Sequence, residues 1–370
     1  MSKTNLIWLL SGLAALTIAG GVWYLSSRMS SLSYSNSSAP AEVLMARNQS
    51  YVLANSYQKE GKFDLALQSY QEALLAAEDR VQATQIRLDI AFMTEFLGNY
   101  KEAISQLKTI AANSSDSYAI ARAYAVQEIG LMYYNHYESD IRQVLVEETF
   151  KDSPYDSFKE GDSLNVAYTK LFEYAASLYP LGISESRIAY GYANELRDTL
   201  NGATTTPQGK AYILLINQSV TAAVADIQRM EDVGEVSLIP GILTHCGVAL
   251  ERLSLLGVID LQEVELFFKK GLQYAASIGN RSGSFSAYAY ATFLVSHYKS
   301  TRTEEIRSIL SPFRVDNKAE IDQNIIRFFR AARANQSFLD GKERLVELGK
   351  ISPTFKTYLI SLGWEETDFK

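Results

Sequence analysis

The chain has a single cysteine, Cys246, among 370 residues. One cysteine cannot form an intramolecular disulfide, so no bridge framework holds this fold together. Its neighbours have a helical pattern, and Cys246 reads as a buried, inert thiol. Histidine is nearly as scarce. His136, His245 and His297 are scattered and have no partner at metal-ligand spacing. His245 and Cys246 are adjacent, and on a helix they point about 100° apart, so they do not make a nucleophile–base pair. There are 7 prolines and few β-branched runs, which favours helix over sheet. A long basic run is also missing and the net charge is −7, which excludes a general nucleic-acid binder with a cationic face. Gly279 to Gly283 reads GNRSG and lacks the Gly-Lys-Ser/Thr ending of a phosphate loop. The acid pairs Glu147-Glu148 and Glu365-Glu366 and the Lys269-Lys270 pair read as solvated faces. No catalytic residue, cofactor site or metal site is expected.

Hydrophobic residues make up 47% of the chain, enough for a sizeable core. Tyrosine is abundant, at 23, and suits positions that bridge core and water. Leu6 to Leu25, LIWLLSGLAALTIAGGVWYL, carries no charge. Twenty helical residues span roughly 30 Å, the thickness of a bilayer core. Trp8 near one end and Trp23 and Tyr24 at the other are placed as interface anchors. The segment reads as one transmembrane helix over 6–25. A cleaved signal peptide would need an unusually long apolar region, with Ala39-Pro40-Ala41 far downstream, and a buried soluble helix is a third reading. The amino terminus and Lys3 precede the span and Arg28 follows it, an excess that puts residues 1–5 in the cytoplasm and the large domain outside. Residues 26–44, rich in serine, read as a tether.

Tyr51 to Ala112 holds an internal repeat. Ala54 matches Ala91, Gly61 matches Gly98, Phe63 matches Tyr100 and Ala66 matches Ala103, each pair 37 residues apart. A fixed offset in this range is the signature of stacked helix pairs. Phe63, Ala66, Leu67, Tyr70, Ala73 and Leu74 form an apolar stripe at helical spacing. Small residues at 54, 66 and 73 allow close helix approach, and Leu53, Tyr57, Phe63 and Tyr70 are expected to fill the space beside them. Gly61 is expected to close the first helix in a left-handed conformation.

These residues resemble the tetratricopeptide repeat family. Ala54, Tyr57, Gly61, Phe63, Ala66, Tyr70 and Ala73 supply the first copy of its pattern, and Ala91, Gly98, Tyr100 and Ala103 supply the second. The second copy departs at Thr94, Leu107 and Ile110, and both lack the closing proline, with Glu78 and Ser115 there. The offset exceeds the family's repeat of about 34 residues, so the connection is lengthened by three. The resemblance implies an all-α protein, an α-solenoid of antiparallel helix pairs in a right-handed superhelix. It places the repeats in 45–150 and a divergent helical-repeat region in 151–370, preceded by the transmembrane helix.

By the same resemblance, first helices of successive pairs line a concave groove. Tyr51, Asn55, Gln58 and Lys59 would face it from the first pair, and Leu88, Phe92, Glu95 and Phe96 from the second. Such a mixture suits a peptide or helix laid in a groove. The alternative for Phe92 and Phe96 is packing against the next helix. Tyr51 and Asp89 stand where carboxylate-clamp members of the family carry lysine and asparagine, which argues against that subclass.

After residue 112 helices are expected at about 118–135, then a break at 151–162 (KDSPYDSFKEGD). Amphipathic helices follow at 163–179, 185–200 and 207–230. The pair 239–256 and 261–277 carries Val264, Phe268 and Gly271 in place of Ala66, Tyr70 and Ala73. Degenerate helices continue to Leu362, with Trp364 capping the end. The layout, similar to single-span bacterial tetratricopeptide proteins attending secretion or envelope assembly, predicts a membrane-anchored, non-enzymatic scaffold for protein partners. Two alternatives stand beside it: a self-associating structural protein forming a homo-oligomer, and a small-ligand or enzymatic domain in the divergent region.

Overall fold

The computed structural model describes residues 48–113, 119–135, 141–159, 164–198, 201–233, 236–278, 282–333 and 341–370. The short end 1–5, the span Leu6–Leu25 and the 26–44 tether lie outside the described residues. Among those described, no helix is long and apolar enough to cross a membrane.

The described chain is all helical, with no strand among the described residues. Its α-helices are α1 (Gln49–Lys59), α2 (Phe63–Leu75), α3 (Arg80–Phe96), α4 (Tyr100–Ala111), α5 (Ala119–Asn135), α6 (Arg142–Thr149), α7 (Leu164–Leu178) and α8 (Gly182–Asp198). They continue with α9 (Pro207–Val233), α10 (Ile239–Leu255), α11 (Leu261–Ile278), α12 (Ser282–Tyr298), α13 (Thr303–Ile309), α14 (Gln323–Arg333), α15 (Gly341–Ile351) and α16 (Pro353–Ser361). From α1 to α5 each helix packs on the next. Further on, α8 packs on α7, α9 and α10, and α10 on α11 and α12.

The first two hairpins are built alike. Asn48 caps α1 by accepting from the Tyr51 N–H at 3.1 Å, and its amide donates to the Ala73 carbonyl at 2.9 Å, tying the start of α1 to the end of α2. Gly61 ends α1 at φ 75° and Gly98 ends α3 at φ 85°. In each case the residue after the glycine returns its N–H to the helix, Lys62 to Tyr57 at 2.9 Å and Asn99 to Thr94 at 3.0 Å. This closure satisfies carbonyls that the helix end leaves open, and only glycine adopts the angle without steric cost. Ala54, Ala66 and Ala73 have no exposed surface, and neither do Ala91 and Ala103. At the departures from the repeat pattern Leu107 is fully buried and Ile110 nearly so. Leu107 fills the place of Tyr70 with a smaller side chain, and Ile110 fills that of Ala73 with a larger one.

Three expectations need correction. Leu53 is 45% exposed. One residue along a helix turns the side chain about 100°, so Leu53 cannot share the inward side of Ala54. The break at 151–162 holds a short 3-10 helix, Tyr155–Phe158. Tyr155 is buried there, edge-on to Tyr174 at 5.8 Å and beneath the Lys108 ammonium at 4.8 Å. The short helix α6, absent from the expected elements, packs on α4 and α5 and buries Leu145.

From α8 onward a single large core runs to Phe369 and includes Val264 and Phe268. Close approach of α7 and α8 depends on Gly191, where a Cβ would lie 2.0 Å from the Thr169 hydroxyl oxygen. Trp364 is buried, and its indole N–H donates to the Phe329 carbonyl at 3.0 Å.

Candidate functional site

The eight residues expected on the groove fall into two environments. On α1, Tyr51 donates its hydroxyl to Asp89 at 3.0 Å and sets its ring edge-on to Tyr70 at 5.5 Å. Asn55 and Gln58 both meet the Tyr70 hydroxyl, at 2.8 and 2.7 Å. Lys59 is exposed. On α3, Leu88 is 2% exposed and belongs to the core that runs from α3 to α7, so it lines no open surface. Phe92 is half-buried and touches the cores on both sides of α3.

Glu95 and Phe96 are joined to the far part of the chain. The Arg327 guanidinium of α14 lies 4.7 Å from the centre of the Phe96 ring, and its Nη1 is 3.5 Å from Glu95 Oε1. The Phe96 ring also stacks on Phe63 at 4.7 Å. Aromatic face and carboxylate together receive a planar cation. No local pattern points to this contact, because 232 residues separate Arg327 from Glu95.

Two carboxyls, Asp89 of α3 and Glu128 of α5, are strongly perturbed. Burial pushes Asp89 up to about 7, although the Tyr51 hydroxyl bond opposes the shift. Burial and then the neighbouring charge of Glu95 push Glu128 of α5 up to about 8, with Arg187 opposing and Asp322 adding. Each cause acts on the charged form: low polarizability around the group and like charge both disfavour it.

A polar tract missed in the sequence continues from Glu128 into the interior. Gln127 donates to Ser184 at 2.6 Å, linking α5 to α8. The Tyr134 and Tyr190 hydroxyls meet at 3.0 Å, Asn194 donates to Tyr134 at 3.3 Å, and the Arg252 guanidinium lies 4.8 Å from the Tyr190 ring centre. Burial and the Tyr190 hydroxyl hold Tyr134 well above the ordinary tyrosine range. Burial is also the largest influence on Tyr190, but the Arg252 charge together with hydrogen bonds from Tyr134, Asn194 and Arg252 outweighs it and lowers that hydroxyl. His245 bonds the Gly241 carbonyl through Nδ1 at 2.6 Å and stacks on Phe285. Burial and then Arg187 drive its pKa well below the ordinary histidine value, so the ring is neutral and Nδ1 is the donor. Buried N–H groups of Arg187 and Arg252 (Nε and Nη1) find no acceptor among the described residues. The sequence signal was available: Arg187, Asn194, His245 and Arg252 interrupt otherwise apolar helical stripes.

Chemically this tract is a set of hydrogen-bonded tyrosines and guanidinium–ring contacts. Cys246 is buried among aliphatic residues, where burial pushes its thiol far up, so it is not an activated nucleophile. A separate open cleft of about 510 Å³ is lined by Glu78, Asp79, Arg80, Arg87 and Asn113 at the α2–α3 connection. Among the described residues no group of three or more His, Cys, Asp or Glu side chains is arranged to hold a metal ion. Compared with known protein families and with curated proteins, the chain matches none.

Proposed function

We propose that this chain is a scaffold that captures proteins beside a membrane. In this reading α1 to α4 are two tetratricopeptide-like repeats and the later helices are divergent pairs of the same right-handed α-solenoid. Leu6–Leu25 is its single membrane span, and the helical domain stands on the outer side. The observation that carries the reading is the equivalence of the two hairpins. Gly61 and Gly98 close α1 and α3 with the same backbone bonds, and Ala54 and Ala66 occupy the same buried roles as Ala91 and Ala103. A hairpin of this kind cannot bury its stripe alone, so repeats stack and leave one face of their first helices for a partner. Tethering raises the local concentration of that face for other membrane components, so a modest intrinsic affinity suffices.

The test is site-specific photocrosslinking in native membranes. A photoreactive residue at exposed Lys59, on the face expected to bind, should trap a protein partner. The same residue at exposed Glu72, on the second helix of the same hairpin, should not. Equal trapping at both sites, or none at Lys59, sinks the groove. Release of the full chain from membranes by carbonate washing sinks the anchor. Survival of the helical domain when protease is added outside spheroplasts sinks the outward orientation.

A further inference from the structure

We propose that the Glu95–Phe96 seat on α3 receives an arginine side chain from a partner peptide, and that Arg327 is the resident occupant which the peptide displaces. The proposal rests on the scaffold reading and names the chemistry its binding face selects.

Three observations carry it. First, the seat already holds a guanidinium: Arg327 lies over the Phe96 ring at 4.7 Å and against Glu95 at 3.5 Å. A ring face paired with a carboxylate favours arginine over lysine, because the planar guanidinium stacks and donates at once.

Second, the contact joins parts with separate cores. Ile325, Ile326 and Phe329 of α14 belong to the core that runs from α8 to Phe369. The buried residues of α3 belong to the two cores formed with its own neighbours. Withdrawing Arg327 therefore opens neither core. The pair also touches water, with 27% of the Arg327 side chain and 11% of the Glu95 side chain exposed, so an incoming cation can compete for the same atoms.

Third, further carboxyls lie on α3 and α5, and an incoming cationic segment would favour their charged forms. Asp89 precedes Phe96 by two helical turns on the same side of α3. Glu128 of α5 lies close enough to Glu95 for their charges to oppose each other, and Asp322 adds to the same field.

The experiment measures fluorescence anisotropy of a labelled tri-arginine peptide with the full chain in detergent micelles. Arg327→Gln should bind the peptide roughly tenfold more tightly than the natural chain, because the partly exposed Glu95 pairing and the Phe96 ring contact no longer compete. Tri-lysine should gain less, and tri-glutamate nothing. Adding Glu95→Gln or Phe96→Leu to Arg327→Gln should cancel the gain. Thermal melts accompany each variant; if Arg327→Gln does not fold, Arg327→Lys is used, with a smaller gain expected. An unchanged affinity on removing the resident arginine, or a gain that survives Glu95→Gln, overturns the proposal. Crosslinking at Lys59 separates it from the reading beneath it. Undiminished partner capture by Glu95→Gln sinks the seat and leaves the scaffold. No capture by the natural chain, with tri-arginine binding intact, sinks the scaffold and leaves the seat.

Discussion

Arg302 Nη1 donates to Glu265 Oε1 at 2.7 Å, joining the short 3-10 helix Lys299–Arg302 between α12 and α13 to α11. Glu265 also accepts from Lys269, Tyr290 and Tyr298, while Arg302 pairs with Glu305 as well. Burial alone would raise the Glu265 carboxyl, but these bonds outweigh it and pull the group down to about 2. A carboxyl held below its ordinary value of 4.5 stabilises the fold above that pH, and the contribution is lost as pH falls from there towards 2. Arg302→Ala should cost about 2 kcal/mol near neutral pH, since it leaves a little-exposed carboxylate short of a charged donor. Chemical denaturation of both proteins at pH 7 and pH 3 checks this, and the difference should shrink at the lower pH.

Asp89 and Glu128 should act in the opposite sense. Their folded values, about 7 and about 8, lie above the ordinary 3.8 and 4.5. Folding therefore favours their protonated forms, and stability should fall as pH rises from about 4 to about 8. Asp89→Asn should remove part of that slope and stabilise the protein at pH 8 by about 1–2 kcal/mol. Melting curves across this range decide it; a slope unchanged by the substitution counts against the assignment.

Gly191 is the tightest helix contact named above. Gly191→Ala puts a methyl group 2.0 Å from the Thr169 oxygen, which donates to the Asn165 carbonyl at 2.7 Å. The loss should be about 2–3 kcal/mol. Thr169→Ala in the same chain should restore part of it, and the double-mutant cycle measures how much of the cost belongs to this pair.

Gly61→Ala and Gly98→Ala should behave as twins. A Cβ at either site meets nothing within 4 Å, so the penalty is the positive φ alone, about 1 kcal/mol each. Widely different losses in urea unfolding would break the equivalence of the two hairpins.

The helical class and most helix positions were legible in the sequence, because the spacing of Ala54, Ala66, Tyr70 and Ala73 reports burial directly. The glycine closures were legible for the same local reason. Leu53 misled, since being apolar does not fix which side of a helix a residue occupies. The side chains assigned to a groove could be named from the sequence, but their contacts could not. Tyr51, Asn55 and Gln58 are bound to Asp89 and Tyr70, partners set by hairpin packing that no spacing rule encodes. Arg327 was unreadable from sequence, since its place beside Phe96 depends on the path of every helix between them.

Cys246 has no exposed surface, and it is the chain's one thiol. Native protein therefore offers maleimide reagents a silent background. A cysteine introduced at an exposed position such as Lys59 or Arg87 would be modified alone, with no need to delete the natural one. Paired nitroxides placed this way on the first hairpins and on α14 would give a distance ruler across the Arg327 contact, read in the intact molecule.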